Sequence, residues 1–507
     1  MERRSKIAEN TLSLTASGAG SAVLAIIQLS ILSRSLEGDL FGLFVALRGF
    51  SLLLGTVVLI GLPQVLVRFL PSYQSRGMRD RALILFTVST GLVLLLGYLI
   101  HIGSPVWAEW MPEDVGGLVA FPRVTLWVTL ASVMLAMKML LYGGFNGLRE
   151  MRMQMVLELL YHVLLTVFIF AARHRLGVTL LFQIICVLNT FVFLMGLPVF
   201  VRLARRLIPA GGAGGDSGLI LPPLVPYWLG SILLSFVSLA FTDVDRYVMS
   251  AVLPLSAISI FHVASRINNL LRRFLGIPVI AAQPEITRIY EEGRWEELAG
   301  KIGLFTKGTI IASLFVSALM TITGRDIITV LSGDRYISGY RVLLVLLVTV
   351  PIAAVIAPLL ATMRSLHFMK WAVLCDFIWM AVYFGTFFFL VSWWGVIGMA
   401  VAQVTASCCQ LLAAVLLARR EGFFGGVGTN LGRVLLSLVF LVPTGVVLTR
   451  QFGLPASAAC LLLSPIICKY LLKWLSVFGE EEKERIVELV PVSFGKRTTS
   501  WLLSLGA

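Results

Sequence analysis

The sequence predicts an all-α polytopic membrane protein of about fourteen transmembrane helices: two pseudo-symmetric six-helix lobes and two C-terminal helices. Three observations lead to this prediction. Of the 507 residues, 58% are hydrophobic and only 13% are charged, whereas about 25% charge is usual for soluble proteins. Apolar runs long enough to cross about 30 Å of hydrocarbon recur along the whole chain. Short sequence motifs of the first half of the chain also recur in the second half.

The apolar runs define the individual spans. Each holds roughly 18 or more residues. We expect spans near 9–33, 40–66, 82–102, 124–143, 154–171, 176–201, 225–250, 256–282, 303–323, 342–363, 371–391, 393–418, 432–449 and 454–475.

Lysine and arginine in the loops predict the orientation. Basic residues cluster before the first span and after the second, sixth and twelfth: Arg3, Arg4, Lys6, Arg68, Arg76, Arg79, Arg81, Arg202, Arg205, Arg206, Arg419 and Arg420. The positive-inside rule then puts both termini in the cytoplasm, with the chain in the cytoplasmic membrane. Arg173 and Arg175 are exceptions on the outer side. Since these loops account for the net charge of +14, we expect membrane lipids as partners and no nucleic acid.

The two halves match at a nearly constant offset. Gly61-Leu62-Pro63 corresponds to Gly276-Ile277-Pro278, and Leu203-Ala204-Arg205-Arg206 to Leu417-Ala418-Arg419-Arg420. Six spans per repeat is an even number, so both halves enter the membrane from the same side. Transporters built from such parallel repeats bind their substrate between the halves. We therefore divide the chain into an N-lobe (1–208), a Gly-rich linker (209–224), a C-lobe (225–422) and a final segment with two spans and a cytoplasmic tail (423–507).

Arginines within the spans are the candidate substrate-binding residues. Arg48 in the second span and Arg266 in the eighth lie at related depths of the repeat. A charge at this depth costs about 2.5–3.5 kcal/mol on insertion scales, so it usually faces the bundle interior. Guanidinium groups bond two phosphate oxygens at once, and the pair could hold one anion; a structural role is the alternative. His262, Asn269 and Arg272 are further candidates near Arg266.

Two carboxylates also occupy corresponding positions. Glu158 lies in the fifth span and Asp376 in the eleventh, and His162 follows Glu158 by one helical turn. Such a carboxylate could bind a proton or Na⁺ and couple transport to an ion gradient. The alternative, which we favour, is a structural ion pair, with Lys138 of the fourth span as the partner of Glu158.

Asp243, Asp245 and Arg246 lie near the outer end of the seventh span. The pattern DxD also binds metals in sugar transferases, but no nucleotide-binding domain accompanies it here, so we interpret the three residues as a gate or an ion pair. We find no CxxC, HExxH or P-loop pattern. No metal site, cofactor or ATPase activity is therefore expected.

Three stretches carry a family resemblance: LSRSLEGDLFGLFVALRGFSLLL, GLPQVLVRFLPSY and FHVASRINNLLRRF. They resemble the polysaccharide-exporter flippases of the multidrug/oligosaccharidyl-lipid/polysaccharide superfamily. Asp39, Phe41 and Gly42 keep the family's pattern after the first helix, whereas Leu40 stands where the family often has Phe, and His262-Val263 depart from its eighth-helix pattern. The resemblance covers roughly residues 1–420.

The resemblance implies a flippase that moves a polyprenyl-diphosphate-linked oligosaccharide between leaflets by alternating access. Polysaccharide polymerase machinery would be a partner, and H⁺ or Na⁺ a coupling ion. A cation-coupled multidrug antiporter of the same superfamily is the nearest alternative. A membrane-bound polymerase or ligase usually needs a large outer catalytic loop, which this sequence lacks, and a structural scaffold for the assembly machinery is a further alternative.

Overall fold

A computed structural model describes residues 20–104, 121–208, 227–232, 244–365, 368–424 and 431–474, together with residues 225 and 235. Within these ranges the secondary structure is helical, and no β-strand occurs in them. The chain forms two compact units, Met1–His262 and Val263–Ala507. The predicted linker 209–224 lies outside the described residues, so the predicted lobe boundaries stay a prediction.

The first unit consists of helices connected by short turns. They are α1 (Gly20–Ser35), α2 (Gly38–Leu59), α3 (Leu62–Ser75), α4 (Arg79–Ile102), α5 (Phe121–Gly147), α6 (Met151–Ala172), α7 (Val178–Leu207), α8 (Val244–Met249) and the start of α9 (Leu255–Glu291). Helix α5 is central and packs against α2, α3, α4 and α7. Its most apolar segment is 67% buried, whereas that of α4 is 22% buried. Helix α4 therefore exposes apolar side chains, which are suited to contact with lipid.

The second predicted span is broken near its C-terminal end. Ile60 (φ 37°) and Gly61 (φ 74°) are both left-handed, so α2 ends and α3 begins there. The indole Nε1 of Trp228 donates a hydrogen bond of 2.6 Å to the Ile60 carbonyl oxygen. A Cβ atom at position 61 would lie 2.8 Å from the backbone that joins Ser231 and Ile232. Glycine thus permits both the left-handed turn and the close approach of the next segment.

The second unit continues α9 and adds the remaining helices. They are α10 (Trp295–Ser332), a 3₁₀ turn (Asp334–Tyr336), α11 (Gly339–Leu347), α12 (Thr349–Ser365), α13 (Met369–Arg420), α14 (Leu431–Phe452) and α15 (Leu454–Trp474). A hydrophobic core of Ile289, Leu298, Met363, Cys375 and Phe423 joins α9, α10, α12 and α13. The repeat is not maintained at Gly276-Ile277-Pro278, since α9 runs through these residues without a break.

Helix α13 contains two predicted spans, 371–391 and 393–418. Gly395, two residues after the predicted start of the second span, is non-helical (φ 54°, ψ −130°), so the 52-residue helix bends there. At Gly398 a Cβ atom would lie 2.0 Å from the Leu390 carbonyl oxygen. The absence of a side chain at position 398 allows the chain to pack this closely after the bend.

Eight helices of the described part are long and apolar enough to cross a membrane, with α11 and α12 forming one of them and α13 counted once. Helix α9 is not among the eight, although it has 37 residues, and it carries Arg266, Arg272 and Arg273. The protein is therefore a multi-pass membrane protein. Helix α9 is the most polar of the long helices in the part of the chain that the structure describes.

Candidate functional site

Arg48 is the predicted binding residue of α2. The residues beside it, Leu47 and Gly49, are buried, whereas Arg48 is partly exposed. Its guanidinium lies close enough to Lys138 of α5 and Tyr161 of α6 to act on both electrostatically. The fold therefore brings two cationic side chains, Arg48 and Lys138, into one region of the first unit.

Lys138 and Glu158 form an ion pair between α5 and α6. The distance from Nζ to Oε2 is 3.3 Å, and the side chains are 2% and 33% exposed. The Tyr142 hydroxyl donates a 2.9 Å hydrogen bond to the same carboxylate oxygen. Lys138 Nζ also lies 3.8 Å from the centre of the Tyr161 ring. Burial of an ammonium group is costly unless partners of this kind compensate it.

The other oxygen of Glu158 faces its own helix. His162 Nε2 lies 3.4 Å from Glu158 Oε1, one helical turn along α6. Gln28 of α1 donates hydrogen bonds to the His162 carbonyl oxygen (3.1 Å) and to Thr166 Oγ1 (3.0 Å). Three helices, α1, α5 and α6, thus meet at one polar group. We call the set Gln28, Lys138, Tyr142, Glu158, Tyr161 and His162 the Glu158 cluster.

Asp376, the counterpart of Glu158 in the second unit, has different partners. Arg364 Nη2 lies 2.7 Å from Asp376 Oδ2, and Gln410 Nε2 donates a 3.0 Å hydrogen bond to Oδ1. The Arg364 side chain is 48% exposed and that of Asp376 is 13% exposed. The cation of this pair is therefore exposed, whereas the cation of the first pair is buried.

The predicted gate residues are only partly described. Asp243 lies outside the described residues. Asp245 and Arg246 form an ion pair of 2.6 Å, and each side chain is 3% exposed. The Arg246 guanidinium lies 5.5 Å from the centre of the Phe261 ring. The pair is thus enclosed within the first unit, and its role as a gate stays a prediction.

The predicted binding residues of α9 differ in exposure. His262 is 4% exposed, and its ring contacts the Phe41 ring edge-on at 5.8 Å. Arg266, Asn269 and Arg272 are all partly exposed. Asn268, which is 1% exposed, donates a 3.1 Å hydrogen bond to Thr349 Oγ1 of α12. Asn268 therefore anchors α9 to α12, while joint binding by Arg48 and Arg266 stays a prediction.

Sequence reasoning did not identify Gln28, Tyr142, Tyr161 or Gln410. A signal was present for two of them. Tyr142 follows Lys138 by four residues and Tyr161 precedes His162, so both share helices with cluster members. Gln28 and Gln410 lie alone in apolar runs. Only the folded chain reveals their partners, which lie on another helix for Gln28 and on the other arm of the bent helix α13 for Gln410.

Comparison with known proteins adds the family. Residues 7–290 match the protein family described as "Polysaccharide biosynthesis protein". None of the curated protein sequences matches this chain.

Several solved structures share the fold. "Lipid II flippase MurJ, inward closed conformation" has a TM-score of 0.67 at 12% identity, covering 89% of this chain and 96% of that one. A "multidrug resistance MATE family transporter of the MOP superfamily" has a TM-score of 0.58 at 18% identity, covering 81% and 94%. A MOP superfamily transporter from Pyrococcus furiosus has a TM-score of 0.57 at 14% identity, covering 81% and 95%.

The structural matches extend over most of this chain and nearly all of each solved chain, so the whole architecture is shared. The sequence match covers more than half of the chain. The protein has the fold of the MurJ and MATE transporters and belongs to the polysaccharide biosynthesis protein family.

Proposed function

We propose that the protein is a flippase that translocates a polyprenyl-diphosphate-linked oligosaccharide or polysaccharide precursor across the cytoplasmic membrane. It would act as a secondary transporter by alternating access, and not as an enzyme. Membership of a polysaccharide biosynthesis family and a fold shared with a structure titled as a flippase support this proposal.

The observation that carries the proposal is the position of Arg48. This cation lies on an apolar helix whose neighbouring residues are buried, close to a second cation, Lys138. The two cations repel each other, and Glu158 is in direct contact with Lys138 alone of the two. An anionic cargo would supply the missing negative charge. A diphosphate suits the guanidinium because two of its oxygens can accept hydrogen bonds together.

Helix α9 supplies the other proposed contacts. Arg266, the counterpart of Arg48 in the sequence repeat, would bind the same headgroup. Asn269 follows Arg266 by three residues, and Arg272 follows it by six. This spacing is close to one and two helical turns, so the three side chains lie on one side of α9. Arginine would bind phosphate oxygens, and the Asn269 amide could bond to sugar hydroxyl groups. His262 is buried against Phe41, and a packing role suits it better than cargo contact.

In this proposal Glu158 and Asp376 are structural. Each carboxylate contacts a cation, Lys138 at 3.3 Å and Arg364 at 2.7 Å. A carboxylate engaged in this way would have to give up its partner before binding H⁺ or Na⁺. Coupling to either ion is the alternative role for these residues.

Location and partners follow from the loops and the cargo. The basic loops support a position in the cytoplasmic membrane with both termini in the cytoplasm. A translocated precursor would be extended on the far side, so polysaccharide polymerase machinery is the expected protein partner.

Reconstitution tests the proposal directly. Purified protein in liposomes would be given a fluorescent polyprenyl-diphosphate saccharide, and a membrane-impermeant quencher would report the fraction in each leaflet. We expect faster exchange than in protein-free liposomes. Parallel samples with no gradient, a pH gradient or a Na⁺ gradient test ion coupling. Exchange no faster than in empty liposomes under all three conditions would overturn the proposal.

The nearest rival function is export of cationic drugs, because multidrug transporters share the fold. A cationic dye in the same liposomes distinguishes the two functions. We expect no gradient-driven movement of the dye, because Arg48 and Lys138 would repel a positively charged compound. Dye transport without saccharide exchange would establish the rival.

A further inference from the structure

A second group of cations lies far along the chain from Arg48, in the second unit. Arg325 is near the end of α10, and Arg450 is in the last turn of α14. Both side chains are exposed. Both act electrostatically on one phenol, that of Tyr340 at the start of α11. Three helices thus bring two guanidinium groups to one end of the unit.

Contacts between these helices fix the arrangement. Tyr340 donates a 2.5 Å hydrogen bond to the Thr321 carbonyl oxygen of α10. Thr449, next to Arg450, donates a 3.3 Å hydrogen bond to the Ile322 carbonyl oxygen. A Cβ atom at Gly445 would lie 2.5 Å from the Ile322 side chain, so α14 packs closely on α10. The two arginines therefore extend from a fixed framework.

The negative charge nearby does not balance them. Asp326 is the carboxylate that acts on Tyr340, and it accepts a hydrogen bond from the Ser457 hydroxyl of α15. Among the described residues no carboxylate lies within ion-pair distance of Arg325 or Arg450. Arg341, beside Tyr340, is also exposed. The group consequently carries an excess of positive charge.

This excess of positive charge is unusual on the side of the membrane where the predicted topology places it. In the predicted topology the end of α10, the start of α11 and the end of α14 all lie on the outer side. Arginine is depleted there in most membrane proteins, so the positive-inside rule does not account for the group. Exposed guanidinium groups that share one rigid position are suited to an oxyanion with several acceptor oxygens.

We propose that Arg325 and Arg450 bind a phosphate group at the outer face of the membrane. Two sources share this chemistry: the diphosphate of the translocated cargo and the headgroup of an anionic phospholipid. The assignment to cargo rests on the flippase function proposed above. Held there, the diphosphate would be kept from returning to the inner side while the saccharide is exposed for extension.

Binding measurements in four proteins separate this site from the one at Arg48. The proteins are the wild type, Arg48→Gln/Arg266→Gln, Arg325→Gln/Arg450→Gln and the combination of all four changes. Fluorescent polyprenyl diphosphate is titrated into each protein in nanodiscs of neutral phosphatidylcholine. Arg173→Gln/Arg175→Gln is the matched control, since it removes two exposed arginines from the predicted outer side of the first unit. Arg325→Lys/Arg450→Lys tests whether charge alone suffices.

We expect Arg48→Gln/Arg266→Gln to retain a binding event that is weakened about tenfold when Arg325 and Arg450 are also replaced, the loss expected for charged hydrogen bonds. The control should bind like the wild type, and the lysine variant should lie between. Thermal unfolding of each variant identifies misfolding, and the lysine variant still tests the site if the glutamine variant misfolds.

Loss of all binding in Arg48→Gln/Arg266→Gln would overturn the outer site and leave the flippase proposal standing. Equal binding with and without Arg325 and Arg450 would overturn it as well. Repeating the titration in nanodiscs with phosphatidylglycerol separates the sources. Displacement of the fluorescent probe by phosphatidylglycerol at the outer site assigns the site to a phospholipid headgroup, and undiminished binding assigns it to cargo.

Discussion

Lys138 Nζ lies 3.3 Å from Glu158 Oε2, yet the two side chains are exposed to very different extents, 2% and 33%. The ammonium group is enclosed between α5 and α6, with the Tyr161 ring 3.8 Å away. The carboxylate has a further partner in His162. Without Glu158, Lys138 would be a buried cation with no charge partner. Without Lys138, Glu158 would keep Tyr142, His162 and its partial exposure to solvent.

This asymmetry gives a first prediction. Glu158→Gln should lower the stability of the protein by about 3 kcal/mol, because it leaves a buried cation without its charge partner. Lys138→Met should cost less, since Glu158 keeps Tyr142, His162 and some solvent exposure. The double variant should recover most of the loss. Thermal unfolding of the purified variants in detergent measures all three, and an equal loss in both single variants would contradict the asymmetry.

The corresponding pair of the second unit should behave differently. Arg364 is 48% exposed, and Asp376 also accepts a hydrogen bond from Gln410. We expect Asp376→Asn to cost no more than about 1 kcal/mol, because the cation that it leaves without a charge partner, Arg364, is exposed. The same unfolding assay tests this prediction. A loss as large as that of Glu158→Gln would show that the two pairs are energetically equivalent despite their exposure.

The break between α2 and α3 gives a third prediction. Gly61→Ala places a Cβ atom 2.8 Å from backbone atoms of Ser231 and Ile232, at a residue with φ 74°. We expect it to destabilise the protein by about 1–3 kcal/mol through strain. Gly91→Ala in α4 is the control, because nothing lies within 4 Å of its Cβ position. In a helix interior that change should be neutral or stabilising by about 0.5–1 kcal/mol.

Unfolding temperatures of the two glycine variants can be compared in one experiment. Similar values for Gly61→Ala and Gly91→Ala would show that the chain accommodates a side chain at the break, and that the close approach of residues 231–232 is not required.

The fourth prediction concerns transport. Arg48→Ala and Arg266→Ala should each reduce saccharide exchange in liposomes at least about tenfold, whereas lysine at either position should restore only part of it, because an ammonium group cannot form the paired hydrogen bonds of guanidinium. Arg68→Ala, an exposed change on α3, serves as the control. Full activity in both alanine variants would remove these arginines from the cargo site.

Much of the fold was predictable from the sequence. The apolar runs predicted the helices, and the predicted boundary between spans eleven and twelve lies a few residues before Gly395, where α13 bends. Gly61-Leu62-Pro63 was identified as a repeat landmark, but its consequence was not. The helix breaks at Gly61 and continues through Gly276, because only the first glycine has a left-handed φ and a neighbouring segment in contact.

The candidate site was predictable only in its residue types. Hydropathy along the chain determined by itself that the protein spans a membrane many times and that Arg48, Glu158 and Arg266 are exceptional within it, since charge in an apolar run is visible locally. The tertiary structure decided which partners these charges meet. Gln28 reaches His162 across 134 positions and Gln410 reaches Asp376 across 34. Such contacts depend on helix packing, which no local pattern encodes.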